Sequence, residues 1–288
     1  MYKRQSSETG PVVGERRAVS NLLSVLAWLV CLAFIFPIFW MVLNSFKDEL
    51  DANAAPKLFF EPTLGRYAEV TEDTTGLLSF SDAFANSAWI VLISTLIVMA
   101  LAIPAAYALA IRPVKAWRDA LFFFISTKFL PIVAAILPLW IIARNLDLLN
   151  TRTVLVVLYT AMNLPLAIWM LRSFFMEVPG ELIEAAQIDG AGLRGQLGSV
   201  ILPIVAPGLA ATALLCFIFG WNEYFLAVQL NPVEGSTVPI WVTSNVSTRG
   251  NFIAKLSAAS TLATLPVVIA GWFAGKRMIR GLAMGAIK

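Results

Sequence analysis

A short polar segment, residues 181–203, places acidic and glycine residues between long apolar runs and reads ELIEAAQIDGAGLRGQLGSVILP. Pro179-Gly180 favours a helix start and Gly190 and Gly192 favour its end, which predicts a helix over about 180–189. Glu184 and Asp189 are acidic groups that could meet the basic groups of a partner protein. The segment therefore predicts a docking helix, although the pattern alone also fits a solvated interfacial helix.

One face of the predicted helix has a composition suited to close contact. Its members follow the spacing i, i+3, i+4, i+7 and are Leu182, Ala185, Ala186 and Asp189. The small alanine side chains on this face would let another backbone approach closely.

A second group of polar side chains stands inside long apolar runs, and its members are Lys128, Asn163, Trp221, Asn222 and Glu223. An ionisable side chain at membrane depth is costly, so each should face the interior of a helix bundle. Two interpretations stay open: a polar cavity for a hydroxyl-rich solute, or hydrogen bonds that join neighbouring helices. Asn163-Leu164-Pro165 indicates either a simple helix kink or backbone exposed to a cavity. A direct pair between Lys128 and Glu223 is not expected.

Composition excludes several kinds of site. The 288 residues are 59% hydrophobic and 14% charged, and the chain has no histidine. Haem ligation by imidazole, histidine zinc sites and Ser-His triads are therefore excluded. The net charge of +3 is too small to indicate nucleic acid, and Cys31 and Cys216 lie in apolar runs with no redox spacing. No G-x-x-x-x-G-K-[ST] phosphate loop occurs, so no ATP site or other bound cofactor is predicted.

Six apolar stretches are long enough to cross a bilayer as helices: 21–43, 85–111, 119–142, 153–175, 204–228 and 257–275. The first is predicted to be an uncleaved anchor, because it is too long for a secretory apolar region. We therefore expect an all-α membrane protein with tails at 1–20 and 277–288, an outer loop at 44–84 and a core at 85–276.

Basic residues predict the orientation of these helices. The side that carries both tails has the larger set: Lys3, Arg4, Arg16, Arg17, Arg112, Lys115, Arg118, Arg194, Lys276, Arg277, Arg280 and Lys288. The opposite side spreads fewer basic residues over longer loops. The positive-inside rule thus predicts a multi-pass cell-membrane protein with both termini and the polar segment in the cytoplasm.

The polar segment resembles the E-A-A-x-x-x-G-x9-I-x-L-P signature of ABC-importer permeases. Glu184-Ala185-Ala186, Gly190 and Ile201-Leu202-Pro203 fit it, with Val200 in place of isoleucine. The resemblance implies a type I importer permease fold, in which Glu184, Ala185, Ala186, Asp189 and Gly190 belong to a cytoplasmic coupling helix that docks on an ATP-binding subunit. It also implies four kinds of partner: a second permease subunit in a heterodimer, an ATP-binding subunit dimer that holds ATP and magnesium, an extracytoplasmic solute-binding protein, and membrane lipid.

Further short motifs resemble the carbohydrate branch of that family, including Ala105–Leu109, Trp221-Asn222-Glu223 and the tail 280–288. Residues 126–131 (STKFLP), 149–153 (LNTRT) and 254–261 (AKLSAAST) are similar to sorbitol and mannitol permeases. The resemblance implies a non-enzymatic permease subunit for a sugar or sugar alcohol, and disaccharides, oligosaccharides and glycerol phosphate stay open as substrates. A secondary transporter is disfavoured, because the chain offers a single candidate coupling carboxylate and no obvious repeat.

Overall fold

The computed structural model of the protein describes residues 13–54, 56–72, 79–112, 114–233, 235–244 and 252–285, with side chains from residue 20 to residue 276. Throughout these ranges the regular structure is helical, without a strand. The all-α membrane fold predicted from composition is confirmed over this part of the chain.

Four long helices carry apolar windows sufficient to cross a membrane: α1 (Val13–Asn44), α4 (Phe80–Ala110), α7 (Arg152–Met176) and α14 (Ile253–Gly285). Each contains one internal proline, which membrane helices tolerate when neighbouring helices satisfy the freed carbonyl. Ser79 and Thr151 cap α4 and α7 by accepting hydrogen bonds from the backbone N–H groups of Asp82 and Val154. Helix α7 continues through Pro165, which agrees with the simple-kink interpretation.

Two further spans are broken. Helix α5 (Trp117–Ser126), extended by a 3-10 turn at Thr127–Phe129, meets α6 (Ile132–Asn145) at an angle of 94°. A straight helix over 119–142 is thus a wrong prediction. Pro131 lacks a backbone N–H, and it also disfavours helical geometry at the residue before it. Leu130 is accordingly extended, with ψ of 121°.

The other broken span follows the polar segment. Short helices α9 (Leu193–Gly195) and α10 (Leu202–Ile204) flank a π-helix at Gln196–Ile201, and this run meets α11 (Ala206–Trp221) at 80°. The predicted helix 204–228 is also interrupted after Trp221. With each bent pair counted as one span, the described residues give the six predicted crossings.

The remaining helices are short: α2 (Glu49–Asn53), α3 (Gly65–Glu72), α8 (Gly180–Ile188), α12 (Phe225–Leu230) and α13 (Val238–Ser244). Helix α4 packs along α7, and α11 lies against α4, α7 and α14. Lipid tails are as apolar as the helix surfaces, so the hydrophobic effect does not hold membrane helices together. Their packing depends instead on the close approach that small residues allow. Gly208 of α11 is an example of such close approach, because a Cβ atom at this position would overlap the ring of Phe174.

The segment after α1 is held by charged groups that sequence reasoning missed. The Lys47 side chain is 1% exposed, donates a hydrogen bond to Asn44 Oδ1 (2.9 Å) and lies over the rings of Trp40 and Phe60. Its burial lowers the pKa of this amine from the usual 10.5. The Glu49 carboxylate accepts hydrogen bonds from the N–H groups of residues 254 and 255, which ties α2 to the start of α14.

Candidate functional site: the polar helix and the membrane cavities

Helix α8 forms where the sequence predicts a helix, within one residue at its end. Pro179 is extended (φ −60°, ψ 129°) and starts the helix, and Asp189 ends it. Gly190 has φ +76°, a left-handed conformation that glycine adopts without strain. Its N–H donates to the Gln187 carbonyl, which closes the last turn.

The two faces of α8 differ from the predicted ones. Ile183 and Ala186 are both buried, and Ile183 belongs to the core cluster that contains Phe175 and Leu171. Ala186 was expected on the partner-facing side with Ala185, so the structure corrects its position. The exposed surface of α8 carries the side chains of Leu182, Glu184, Ala185, Ile188 and Asp189.

The segment after α8 is anchored by a buried glutamine. Gln196 is 3% exposed and its Nε2 donates to the Ala191 carbonyl at 2.7 Å. Its Oε1 lies 3.4 Å from the hydroxyl of Tyr107 on α4. The loop that carries Gly190 and Gly192 is thereby fixed to the helix bundle. Gln196 has no distinctive sequence signal beyond its place in a polar segment.

Arg172, a basic residue on α7, contacts both ends of the turn between α4 and α5. The Arg172 Nε donates to the Leu109 carbonyl at 3.2 Å, near the end of α4. The Arg172 guanidinium lies 4.3 Å from the ring centroid of Trp117, the first residue of α5. Arg172 lies inside an apolar run, and no sequence pattern predicted its contacts with Leu109 and Trp117.

Trp221 and Asn222 line one of the cavities, about 390 Å³ in volume, between the end of α11 and helices α13 and α14. Hydroxyl groups of Tyr224, Thr243, Ser260 and Thr264 share its wall with apolar side chains. The Trp221 Nε1 donates to the Ala263 carbonyl at 3.0 Å, which fixes the indole. This cavity brings Trp221 and Asn222, two of the polar residues singled out in the sequence, together with Ser260 of α14.

Glu223 has a local structural role that the sequence did not predict. Its carboxylate accepts hydrogen bonds from the Leu226 N–H (3.0 Å), the Ala227 N–H (3.3 Å) and the Tyr159 hydroxyl (3.2 Å). It therefore caps the start of α12, the helix that begins at Phe225 after the break that follows Trp221. The Glu223 carboxylate oxygens thus accept hydrogen bonds from groups of this same chain, although the side chain is partly exposed.

Lys128 lies apart from these residues, on a second cavity of about 550 Å³ at the bend between α5 and α6. Its Nζ donates to the Met162 carbonyl at 2.8 Å. No carboxylate of the described residues forms an ion pair with Lys128, Glu223 included, which agrees with the prediction that these two would not pair.

Asn163 faces the interior of the chain instead of a cavity. It is 1% exposed, and its Nδ2 donates to the Cys216 carbonyl at 3.4 Å. This bond joins α7 to α11, which fits the interhelical interpretation of the polar residues. In the part of the chain that the structure describes, no group of three His, Cys, Asp or Glu residues could hold a metal ion.

Sequence comparisons place this arrangement among known membrane proteins. The family described as "Binding-protein-dependent transport system inner membrane component" matches residues 102–280. A probable ABC transporter permease protein of Sinorhizobium fredii is 33% identical over 94% of this chain and 97% of its own. The trehalose/maltose transport system permease protein of Thermococcus litoralis is 32% identical over 93% of this chain and 96% of its own.

The fold has a counterpart of known structure. A chain from a bacterial ABC transporter involved in the import of the acidic polysaccharide alginate superposes with a TM-score of 0.74, covering 93% of this chain and 99% of that one. Their sequences are 23% identical, so the likeness concerns the fold. The type I permease fold expected from the polar segment is thus confirmed.

Proposed function

The chain belongs to the family of binding-protein-dependent transport system inner membrane components, and from that premise we propose that it forms half of the membrane pathway of a sugar or sugar-alcohol importer. The other half comes from a second permease subunit. A dimer of ATP-binding subunits supplies the energy, and an extracytoplasmic solute-binding protein delivers the solute. The chain itself is a transporter subunit and not an enzyme.

The geometry of α8 carries the coupling part of this proposal. The helix leaves an exposed acidic surface and ends at a left-handed glycine, while its inner face is anchored through Ile183 to the same core cluster as α7. A force on the exposed surface would thus reach the membrane helices through packed side chains. Glu184, Ala185, Asp189 and Gly190 are the residues proposed to meet the ATP-binding subunit.

ATP and magnesium are proposed to bind only to that partner, because the sequence has no phosphate loop. Docking from the cytoplasm requires α8 and both termini to lie on the cytoplasmic side, as the distribution of lysine and arginine predicts.

The cavity beside Trp221 and Asn222 supports an uncharged, hydroxyl-rich solute. Its wall combines aromatic rings with amide and hydroxyl groups, which can both donate to and accept from solute hydroxyls. Binding sites for small molecules have this mixture of apolar wall and a few placed polar groups. We propose sorbitol or mannitol as the solute, on the basis of the motifs shared with polyol permeases.

A disaccharide is the second candidate, because the Thermococcus litoralis relative is named for trehalose and maltose transport. Calorimetry of the cognate solute-binding protein separates the two candidates, with mannitol, sorbitol, maltose, trehalose and glycerol phosphate as ligands. Tight binding of a hexitol is the expected result. Tight binding of a disaccharide without response to either hexitol would refute the polyol assignment and leave the importer in place.

A further inference from the structure

The cavity at the bend between α5 and α6 combines a cation with apolar walls. Lys128 is exposed there, and one hydrogen bond, to the Met162 carbonyl, holds its amine. Lysine has three N–H donors, so donor capacity remains for another acceptor. Met162 lies close to the middle of the 25-residue helix α7, which places the charge near the middle of the bundle.

The chain supplies no countercharge for this amine. Among the described residues every ion pair lies on the outer segment, between Lys57 and Asp51 and between Arg66 and its two acidic partners. A cation at membrane depth is retained where it pairs with another group or faces water. No described carboxylate pairs with Lys128, so an acidic partner for it would be a group of another molecule.

The walls of the bend cavity favour a protein side chain over a hydroxyl-rich solute. Apart from Lys128 and Thr127, the side chains that line it are apolar, among them Leu130, Leu139 and Leu226. The cavity beside Trp221 has the hydroxyl and amide groups that a sugar needs, and this one does not. An apolar socket with one cation is complementary to a membrane helix that carries one acidic residue among apolar ones.

We propose that the bend cavity is a subunit interface, in which Lys128 forms an ion pair with an aspartate or glutamate on a membrane helix of the second permease subunit. This inference rests on the proposed function, which supplies that subunit. Lys128 then marks the junction between the two halves of the importer.

A lipophilic carbodiimide tests the pair in the complete complex, purified in detergent or nanodiscs. Dicyclohexylcarbodiimide activates a carboxyl group, and a touching amine displaces it to leave an amide bond and a dialkylurea. Mass spectrometry should find a peptide containing Lys128 joined, with loss of one water, to an acidic peptide of the second permease subunit. The exposed pair Lys57–Asp51, at 3.3 Å, is an internal positive control for amide formation.

Two variants sharpen the test. Lys128→Arg keeps the charge but cannot form this amide, so the cross-link should vanish while the second subunit still co-purifies. Lys128→Met keeps the side-chain length without charge, and recovery of the second subunit should fall several-fold.

The results separate the two proposals. Co-purification of the second subunit with Lys128 unlinked, while Lys57 and Asp51 are linked, would overturn the ion pair alone. A link from Lys128 to this chain or to a second copy of it would do the same. Failure of a second permease subunit to co-purify with the wild-type chain would remove the proposed function and this inference with it.

Discussion

Replacement of Gly190 by valine should uncouple the protein from its ATPase without removing it from the membrane. Gly190 has φ +76°, and a side chain in the left-handed region costs roughly 1–2 kcal/mol, with β-branched residues the least tolerant. An added Cβ would meet no heavy atom within 4 Å, so the loss comes from the backbone and not from a clash. Because about 1.4 kcal/mol is tenfold in an equilibrium, the equilibrium constant that favours the native end of α8 over other backbone conformations should fall by about tenfold.

Two further variants isolate this cause. Gly192 lies two residues later, also in open space, but its φ of −67° suits any residue, so Gly192→Val should behave like the wild type. Asparagine tolerates the left-handed region, so Gly190→Asn should restore most of the activity that Gly190→Val loses.

The assay is co-purification of the ATP-binding subunit, together with ATP-driven solute uptake in reconstituted vesicles. Equal amounts of each variant in the membrane fraction serve as the expression control. Wild-type association and uptake by Gly190→Val would refute the docking role of this helix end, and equal loss in Gly192→Val would refute the backbone explanation.

Three other predictions concern topology and stability. In a variant without native cysteines, an impermeant thiol reagent added to intact cells should label a cysteine at position 59 and miss one at position 192; labelling at 192 would reverse the orientation. Glu223→Ala should lower the free energy of unfolding by about 0.5–2 kcal/mol through loss of the α12 cap, with a smaller loss for Glu223→Gln, and an unchanged thermal midpoint would contradict the cap. Burial puts the folded-state pKa of Lys47 below the unfolded value of 10.5, so the unfolded chain binds more protons between those two pKa values. The free energy of unfolding should therefore rise as the pH approaches 10.5 from below. The Lys47→Met variant should lack the contribution of Lys47 to this rise in the free energy of unfolding with pH. Identical slopes of that free energy against pH for the variant and the wild type would contradict the prediction.

Apolar length predicted the positions of α1, α4, α7 and α14, because a bilayer of fixed thickness demands helices of that length. It could not predict the sharp bends in the other two spans. Leu130-Pro131 was a visible signal for the first bend, since a residue before proline avoids helical geometry. The separate break after Trp221 involves hydrogen bonds that the Glu223 carboxylate accepts from N–H groups three and four residues ahead and from Tyr159, which is 64 residues away along the chain.

Local signals predicted the candidate docking helix well. Proline and glycine fixed the ends of α8, because their effect on backbone geometry is local. The sequence did not predict which face of α8 is exposed, because that depends on the contact of Ile183 with a core assembled from distant helices. The five polar residues for which a shared polar cavity was one of two open interpretations are divided for the same reason: Trp221 and Asn222 share a cavity, Lys128 lies on another, Asn163 is buried and Glu223 caps α12.

Photo-cross-linking from α8 tests the coupling role most directly. Ile188 is 86% exposed on α8, and a benzoylphenylalanine at this position should form an adduct with the ATP-binding subunit in the assembled importer. The same group at Val157, 55% exposed on the membrane helix α7, is the matched control and should form no such adduct. An adduct specific to position 188 is the predicted result. Absence of that adduct in a complex that still couples ATP hydrolysis to uptake would contradict the assignment of α8 as the coupling helix.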